Sequence, residues 1–291
     1  MWAFCHFHRC HSMLSYRHAF HAGNHADILK HFVLHQLLQY LNQKDKPYWY
    51  IDTHAGAGMY ALDQGYAVKN SEYESGISRL WTRDDLPPPL ADFVALIRGL
   101  NTGGRMTLYP GSPWVANRIL RPDDRLRLFE LHPSDFNLLQ ENFQNVGRRA
   151  KLEQADGFAG LKALLPPPPR RALVLIDPPY EEKQDYQRVP AILEEALKRF
   201  ETGIYAIWYP MLQRPELQTF IDRLKRLPAK NWLHARLAVS TPSPDGFGMH
   251  ASGMFILNPP WTLHGILEST LPWLSAALSQ DSDSGYILEQ R

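Results

Sequence analysis

Cysteine is scarce in this chain, with only Cys5 and Cys10 among 291 residues, both in the first dozen positions. No disulfide bond can therefore crosslink the core, which is typical of a protein in a reducing compartment. Histidines lie among the two cysteines, but the spacing fits no standard zinc finger, so we predict no metal site. We expect residues 1–12 to be a poorly ordered leader and Met13 to be the natural start.

Long apolar runs are also absent from the sequence. No stretch approaches the roughly 20 apolar residues that a membrane-spanning helix needs. The first residues lack the basic segment and apolar core of a secretory signal. These absences predict a cytoplasmic protein, and the length suits one large domain or two small ones.

Net charge gives little information about partners, because the 31 Lys and Arg residues are almost balanced by 30 Asp and Glu residues. The distribution of charge is more informative. Residues 13–35 hold Arg17, Lys30 and five histidines, against the single acid Asp27. A locally positive face of this kind can contact nucleic-acid phosphates although the whole chain is nearly neutral.

The most informative stretch of the sequence is Asp177-Pro178-Pro179-Tyr180, which follows an unbroken apolar run at residues 172–176. Such a run is typical of a strand buried on both faces of a parallel sheet. Two prolines have no amide hydrogen to extend a strand, so Asp177 and the Pro178 carbonyl should lie at its carboxyl edge, where open α/β sheets bind ligands. Two acceptors beside an aromatic ring suit a nucleobase with an exocyclic amino group.

Hydrophobic patterning predicts an α/β fold. Helical spacing indicates a helix at 25–41, with Asn24 as N-cap and Asp27 completing a capping box. Helices then alternate with seven strands, at residues 48–52, 126–130, 151–155, 172–176, 203–209, 232–239 and 254–258. The helix expected directly after the first strand begins only at Ser112, so we interpret residues 61–106 as a small helical insertion in a domain spanning 13–291.

Each of the first three strands is followed by residues suited to a nucleotide-like ligand. Gly56 and Gly58 follow the first strand and would allow close approach of the backbone. Glu130 ends the second strand, where an acid accepts hydrogen bonds from ribose hydroxyls, and Asp156-Gly157 follows the third. The glycine loop alone is weak evidence, because the third glycine of the dinucleotide fingerprint is missing.

This order of motifs resembles the class I S-adenosylmethionine-dependent methyltransferases, with their Rossmann-like seven-stranded sheet, and the Asp-Pro-Pro-Tyr motif resembles their amino-methylating branch. Further stretches resemble the RlmJ family, which methylates N6 of one adenine in 23S ribosomal RNA. These stretches lie at residues 13–18, 20–27, 29–31, 52–58, 109–113, 130–135 and 251–254.

The resemblance implies roles for individual residues. Asp177 would be catalytic, and Tyr16 would meet the RNA, with Arg17 and Lys30 beside it. The implied contacts to S-adenosylmethionine are His31, His54, Ser112, Glu130, Asp156 and Gly157, together with the glycine loop. The expected substrate is 23S ribosomal RNA, protein-free or as an early precursor, and the expected state is a monomer.

The chemistry follows from the residue types. Adenine N6 is a poor nucleophile because its lone pair is delocalised into the ring. Hydrogen bonds from its amino group to Asp177 and the Pro178 carbonyl would stabilise positive charge as the methyl group arrives, and Asp177 or a water beside it would take the proton. We expect Tyr180 to stack on the extruded base.

Three alternatives stay open at this point. An adenine-N6 methyltransferase acting on DNA shares every catalytic feature, although the chain has no separate target-recognition domain. A nicotinamide-dependent oxidoreductase would use the glycine loop and Glu130 but not residues 177–180. A purely structural interpretation would make Asp177 a loop-capping carboxylate and Tyr180 a packed aromatic.

Overall fold

The computed structural model describes residues 18–63, 71–245 and 248–291. Its strands are β1 (Trp49–Asp52), β2 (Met59–Ala61), β3 (Leu108–Pro110), β4 (Arg125–Phe129), β5 (Ala150–Glu153), β6 (Ala172–Ile176), β7 (Ile204–Pro210), β8 (Trp232–Ala238), β9 (Ala251–Leu257) and β10 (Gly285–Gln290). Eight of them form one sheet in the order β10-β8-β9-β7-β6-β1-β4-β5, while β2 and β3 form a separate pair. Strands β5, β4, β1, β6 and β7 are parallel, and β9 runs antiparallel between β7 and β8.

The helices are α1 (His25–Asn42), α2 (Ser78–Trp81), α3 (Pro88–Arg98), α4 (Ser112–Ile119), α5 (Pro133–Phe143), α6 (Gly157–Leu164), α7 (Asp185–Arg199), α8 (Glu216–Lys225) and α9 (Leu263–Leu278). Helices α1, α4 and α9 pack together on one face of the sheet, and α6, α7 and α8 form a second group. This arrangement confirms the predicted α/β fold class. None of the helices in the described part of the chain combines the length and apolarity that a membrane span requires.

The main sheet has eight strands, whereas the sequence predicts seven. The additional strand, β10, pairs antiparallel with β8 at the edge of the sheet. Its residues are partly exposed, so it lacks the continuous apolar run that identifies a central strand such as β6, in which every residue is buried. Hydrophobic patterning is a weak signal for such an edge strand.

Helices α2 and α3 lie in the segment predicted as an insertion, between β2 and β3. The two strands pair antiparallel, with Tyr60 opposite Tyr109, and so bring the two ends of this segment together. Helix α3 packs against both α1 and α9. The boundaries 61–106 and the treatment of this segment as a subdomain stay a prediction.

Helix α1 is buried along almost its whole length, with 15 of its 18 residues buried. The Asn24 side chain caps it by accepting from the amides of Ala26 and Asp27. The predicted capping box is incomplete, because the Asp27 carboxylate accepts from the amide of Gly23 at 3.0 Å instead of closing onto Asn24. Charged residues on α1 are therefore withdrawn from solvent and need partners inside the protein.

Candidate active site

A cavity of about 980 Å³ lies beside the carboxyl ends of β1, β4, β5 and β6. This volume is at the upper end of the range for small-molecule sites. The predicted site residues that line it are Lys30, His31, His54, Gly56, Ser112, Glu130, Asp156, Gly157, Asp177 and Pro178. Residues from four strand ends and from α1 thus meet around one space.

Glu130 is held at the end of β4 by two backbone amides. Its carboxylate accepts from Gly56 N at 2.8 Å and from His132 N at 2.7 Å. Burial raises the pKa of Glu130 to about 7, although both hydrogen bonds oppose the increase. The group therefore changes charge near neutral pH, and a ligand that donates to it would favour the ionised form.

Two glycine positions shape the wall of the cavity. Gly56 has φ of 59°, a left-handed conformation that glycine adopts without strain. Gly157 begins α6, and a Cβ there would collide with the backbone oxygen of Thr53. Asp156 caps α6 by accepting from Phe158 N at 2.8 Å.

Gly58 does not line the cavity, and its contact with the cofactor stays a prediction. Gly58 has φ of 77°, and a Cβ at this residue would meet Phe143 and Leu139 of α5, away from the cavity. Its carbonyl accepts from Gly111 N at 2.9 Å. Gly58 thus allows close packing of the loop instead of close approach to a ligand.

His31 and His54 present neutral imidazoles to the cavity. Burial lowers the pKa of His31 to about 3 and that of His54 to about 4. His31 Nδ1 lies 3.1 Å from the Tyr109 hydroxyl, whereas its buried Nε2 has no hydrogen-bond partner. A buried nitrogen of this kind costs free energy until a ligand pairs with it, which makes His31 a ready contact for a polar ligand group.

Arg188 also lines the cavity, although nothing in the sequence pattern pointed to it. Its guanidinium donates to Asp156 Oδ2 at 2.8 Å and lies 4.7 Å from the centre of the Phe158 ring. The Arg188 side chain is 46 % exposed, so it covers the cavity from the solvent side. Its position on α7 follows from the packing of that helix beside α6.

Asp177 is paired with Lys30. Lys30 Nζ lies 2.7 Å from Asp177 Oδ2 and 2.9 Å from Asp27 Oδ1. Burial raises the pKa of Asp177, and the charge of Lys30 limits the increase. The carboxylate is thus near the cavity, only 12 % exposed, and neutralised in part by one ammonium group.

Lys30 lines the cavity from inside the protein, and its predicted contact with RNA stays a prediction. The Lys30 side chain is 3 % exposed, and its ammonium lies between two carboxylates and 5.2 Å from the centre of the Trp208 ring. Sequence patterning placed Lys30 on a basic surface. The burial of α1 on all sides turns it inward instead.

Tyr180 does not line the cavity, and its stacking on a base stays a prediction. Its backbone is left-handed, with φ of 53°, and its ring is fully buried against Tyr186 and Phe220. The hydroxyl donates to the Trp208 carbonyl at 2.9 Å, and Arg214 donates to the Tyr180 carbonyl at 2.9 Å. Tyr180 therefore anchors the turn after β6, as the structural interpretation of this residue expects.

The predicted RNA contacts Tyr16 and Arg17 lie outside the described residues, as do Cys5, Cys10 and the rest of the leader. The first described residue, His18, lines the cavity, and its Nε2 lies 2.9 Å from Asp27 Oδ2. Within residues 18–63, 71–245 and 248–291, no group of three or more His, Cys, Asp or Glu side chains is arranged to hold a metal ion.

Comparison with known proteins identifies the family. The family model described as "Ribosomal RNA large subunit methyltransferase D, RlmJ" matches residues 45–289. The chain belongs to the RlmJ family. This confirms the resemblance predicted from the sequence motifs, and the match includes the ends of β1, β4, β5 and β6 that surround the cavity.

Individual relatives of the RlmJ family match nearly the whole chain. The "Ribosomal RNA large subunit methyltransferase J" of Escherichia coli K12 is 50% identical over 91% of this chain and 94% of its own. The protein of the same name from Haemophilus influenzae is 46% identical over 95% of this chain and 98% of its own. A crystal structure of a Legionella pneumophila protein superposes with a TM-score of 0.85 at 35% identity, covering 92% of this chain and 98% of that one.

A methyltransferase of the RlmJ family uses S-adenosylmethionine, and the cavity offers suitable groups for it. The carboxylate of Glu130 would accept from the ribose hydroxyls. Asp156, beside α6, would contact the adenine ring. The buried and unpartnered Nε2 of His31 would pair with a polar group of the cofactor. These assignments of individual residues are predictions that the geometry of the cavity supports.

Proposed function

We propose that this chain transfers a methyl group from S-adenosylmethionine to N6 of one adenine in 23S ribosomal RNA. The observation that carries the proposal is that Asp177 and Pro178 line the same cavity as Glu130, Asp156 and His31. Acceptors for an amino group and contacts for an adenosine-bearing cofactor thus share one space. S-adenosylmethionine supplies an electrophilic methyl group on a sulfonium.

The contribution of Asp177 is to hold and activate the amino group. Adenine N6 donates two hydrogen bonds, and an acceptor at Asp177 with a second at the Pro178 carbonyl would draw the amino group out of conjugation. Negative charge at Asp177 also stabilises the positive charge that develops on nitrogen during transfer. Both effects act on a base held close to the donor, so positioning contributes to the rate as well.

Asp177 is also placed to receive the proton that leaves N6 after transfer. Burial raises the pKa of Asp177, which makes it a better base than an exposed aspartate, while Lys30 keeps it ionised. The proton would go to a carboxylate oxygen or to a water beside it. The charge of Lys30 stabilises the ionised carboxylate before each turnover.

The substrate would be RNA with the target base extruded from its stack. Unstacking costs a few kcal/mol and is least costly in RNA that has not yet folded, which favours protein-free RNA or an early precursor as the substrate. We propose that the enzyme acts as a monomer. We propose the cytoplasm as the location of the enzyme, because the proposed substrate is ribosomal RNA.

A methyl-transfer assay with labelled S-adenosylmethionine tests this function. Protein-free 23S ribosomal RNA, assembled large ribosomal subunits and duplex DNA are offered in parallel, and the product nucleoside is identified by mass spectrometry. We expect N6-methyladenosine at one site in the protein-free RNA. Transfer only to DNA would establish the DNA enzyme instead, and absence of transfer to all three would refute a methyltransferase acting on polynucleotides.

Cofactor affinity should depend on pH through Glu130. Ribose hydroxyls donate to the carboxylate, so binding favours the ionised form, and with a pKa of about 7 this form is depleted as the pH falls. We expect the affinity for S-adenosylhomocysteine, measured by calorimetry, to fall about tenfold between pH 8 and pH 6.

The matched control for this prediction is Glu130→Gln, which keeps the shape of the side chain and removes its titration. This variant should bind weakly at both pH values, with a much smaller pH dependence. An equal pH dependence in both proteins would show that another group, or the ligand itself, is responsible.

A further inference from the structure

Asp27 is a buried carboxylate that has no role in the proposed function so far. It lies in the first turn of α1 and its side chain is 2 % exposed. One oxygen, Oδ2, lies 2.9 Å from His18 Nε2 and accepts from Gly23 N at 3.0 Å. The other oxygen, Oδ1, lies 2.9 Å from Lys30 Nζ. Asp27 thus joins the last turn before α1 to the ammonium that contacts Asp177.

The geometry makes Lys30 a shared partner. Its ammonium lies 2.9 Å from Asp27 and 2.7 Å from Asp177, so two carboxylates divide one positive charge. Only Asp177 of this pair lines the cavity. If the Lys30 ammonium paired with Asp177 alone, it would bind the Asp177 carboxylate more strongly. It would then compete with any substrate amino group that donates to that carboxylate.

From this arrangement we infer that Asp27 is a positioning residue: it holds Lys30 between two carboxylates, so that the ammonium does not occupy Asp177 fully and Asp177 remains available as an acceptor for the substrate amino group. This inference rests on the proposed function, since it assigns Asp177 the role of acceptor. Asp27 itself touches neither the cavity nor the reacting atoms and acts through Lys30.

Electrostatics support this arrangement. Burial alone would raise the pKa of Asp27, but the interactions with His18 and Lys30 hold it well below its usual range, so Asp27 is ionised when the enzyme works. The groups that face Asp177 are Lys30 and Asp27 on α1, His18 before it, Asp52 and Tyr50 on β1, and Tyr180 after β6. The negative charge of Asp27 contributes to the raised pKa of Asp177.

The sign of the expected change follows from these charges. Removing the charge of Asp27 removes the repulsion between the two carboxylates and leaves Lys30 paired with Asp177 alone. Both effects favour the ionised form of Asp177. The pKa of Asp177 therefore falls, and with it the acidic limb of the rate profile moves to lower pH. The plateau rate also falls, because the carboxylate becomes a weaker base and a less available acceptor.

The test is Asp27→Asn in the full-length protein, assayed against 23S ribosomal RNA beside the unaltered protein. We expect kcat to fall at least about tenfold, KM for both substrates to stay within about threefold, and the acidic limb of kcat to move down by about half a pH unit or more. Asp27→Ser, which removes the same charge with a smaller side chain, should move the limb in the same direction. Asp27→Glu keeps the charge and should keep the limb in place.

Glu216→Gln is the control, because it neutralises a carboxylate in the first turn of another helix. Glu216 begins α8 and lies outside the cavity. It should leave kcat and the limb unchanged. A neutral Asp27 variant with normal kcat and an unmoved limb would overturn the inference, as would failure of both neutral variants to fold by circular dichroism. Lack of activity in the unaltered protein would instead refute the proposed function.

Discussion

Replacing Asp177 by alanine is expected to reduce methyl transfer by about a thousandfold or more while leaving cofactor affinity almost unchanged. The substitution removes the carboxylate that would accept from adenine N6, yet leaves Lys30 paired with Asp27 at 2.9 Å. No buried ammonium is therefore stranded. Single-turnover transfer to 23S ribosomal RNA measures the first effect, and calorimetry with S-adenosylhomocysteine measures the second.

Two further variants make the result for Asp177 interpretable. Asp177→Asn keeps the size of the side chain and should be nearly as inactive, because the amide has neither the charge nor the basicity of the carboxylate. Asp222→Asn, on the exposed side of α8, where Asp222 accepts from Gln218 at 3.0 Å, should turn over normally. Normal turnover by Asp177→Ala would make the carboxylate a structural group and remove the mechanism.

Replacing Lys30 by methionine is expected to destabilise the protein by about 3–5 kcal/mol and to abolish activity. The substitution preserves side-chain volume but leaves Asp27 and Asp177 facing each other without their shared cation. Two carboxylates in such a site raise each other's pKa values, so the variant should take up protons on folding. Its deficit in free energy of unfolding, measured with urea, should shrink as the pH is lowered from 8 to 5.

Lys198→Met is the matched control for Lys30→Met. Lys198 forms a pair of similar length, 2.8 Å from Glu195, but its side chain is 67 % exposed, so solvent screens the interaction. Its urea midpoint should be unchanged at every pH. A deficit for Lys30→Met that did not depend on pH would show that packing of the lysine stem, and not the pairing of the two carboxylates, is what stabilises this region.

The architecture was largely predictable because central parallel strands carry a strong signal. Strand β6 is buried at every residue and therefore reads as an unbroken apolar run, which ends at the ligand-binding edge of the sheet. Asp177 was found for this reason, since it directly follows β6. Glu130 and Asp156 lie after the less buried strands β4 and β5, and the order of motifs along the chain identified them. The edge strand β10 and the three-residue strands β2 and β3 have no comparable pattern.

The directions of individual side chains were less predictable. Lys30 looks like a surface lysine in the sequence, and only the burial of α1 on all sides turns it toward Asp27 and Asp177. Tyr180 is placed by a left-handed backbone that no sequence pattern indicates. Arg188 reaches the cavity because α7 packs beside α6, a contact between two helices that β6 separates in the chain. Each depends on tertiary packing, which local patterning does not contain.

The position of α1 in the core has a consequence for the synthesis of the chain. Helix α1 is among the first segments to leave the ribosome, yet it packs against β7 and β9, which are translated near the end. We therefore expect Lys30 and His31 to reach their final surroundings only after β9 has been synthesised. A chain that ends before β9 lacks one of the elements that α1 packs against, so we expect such a chain to be inactive.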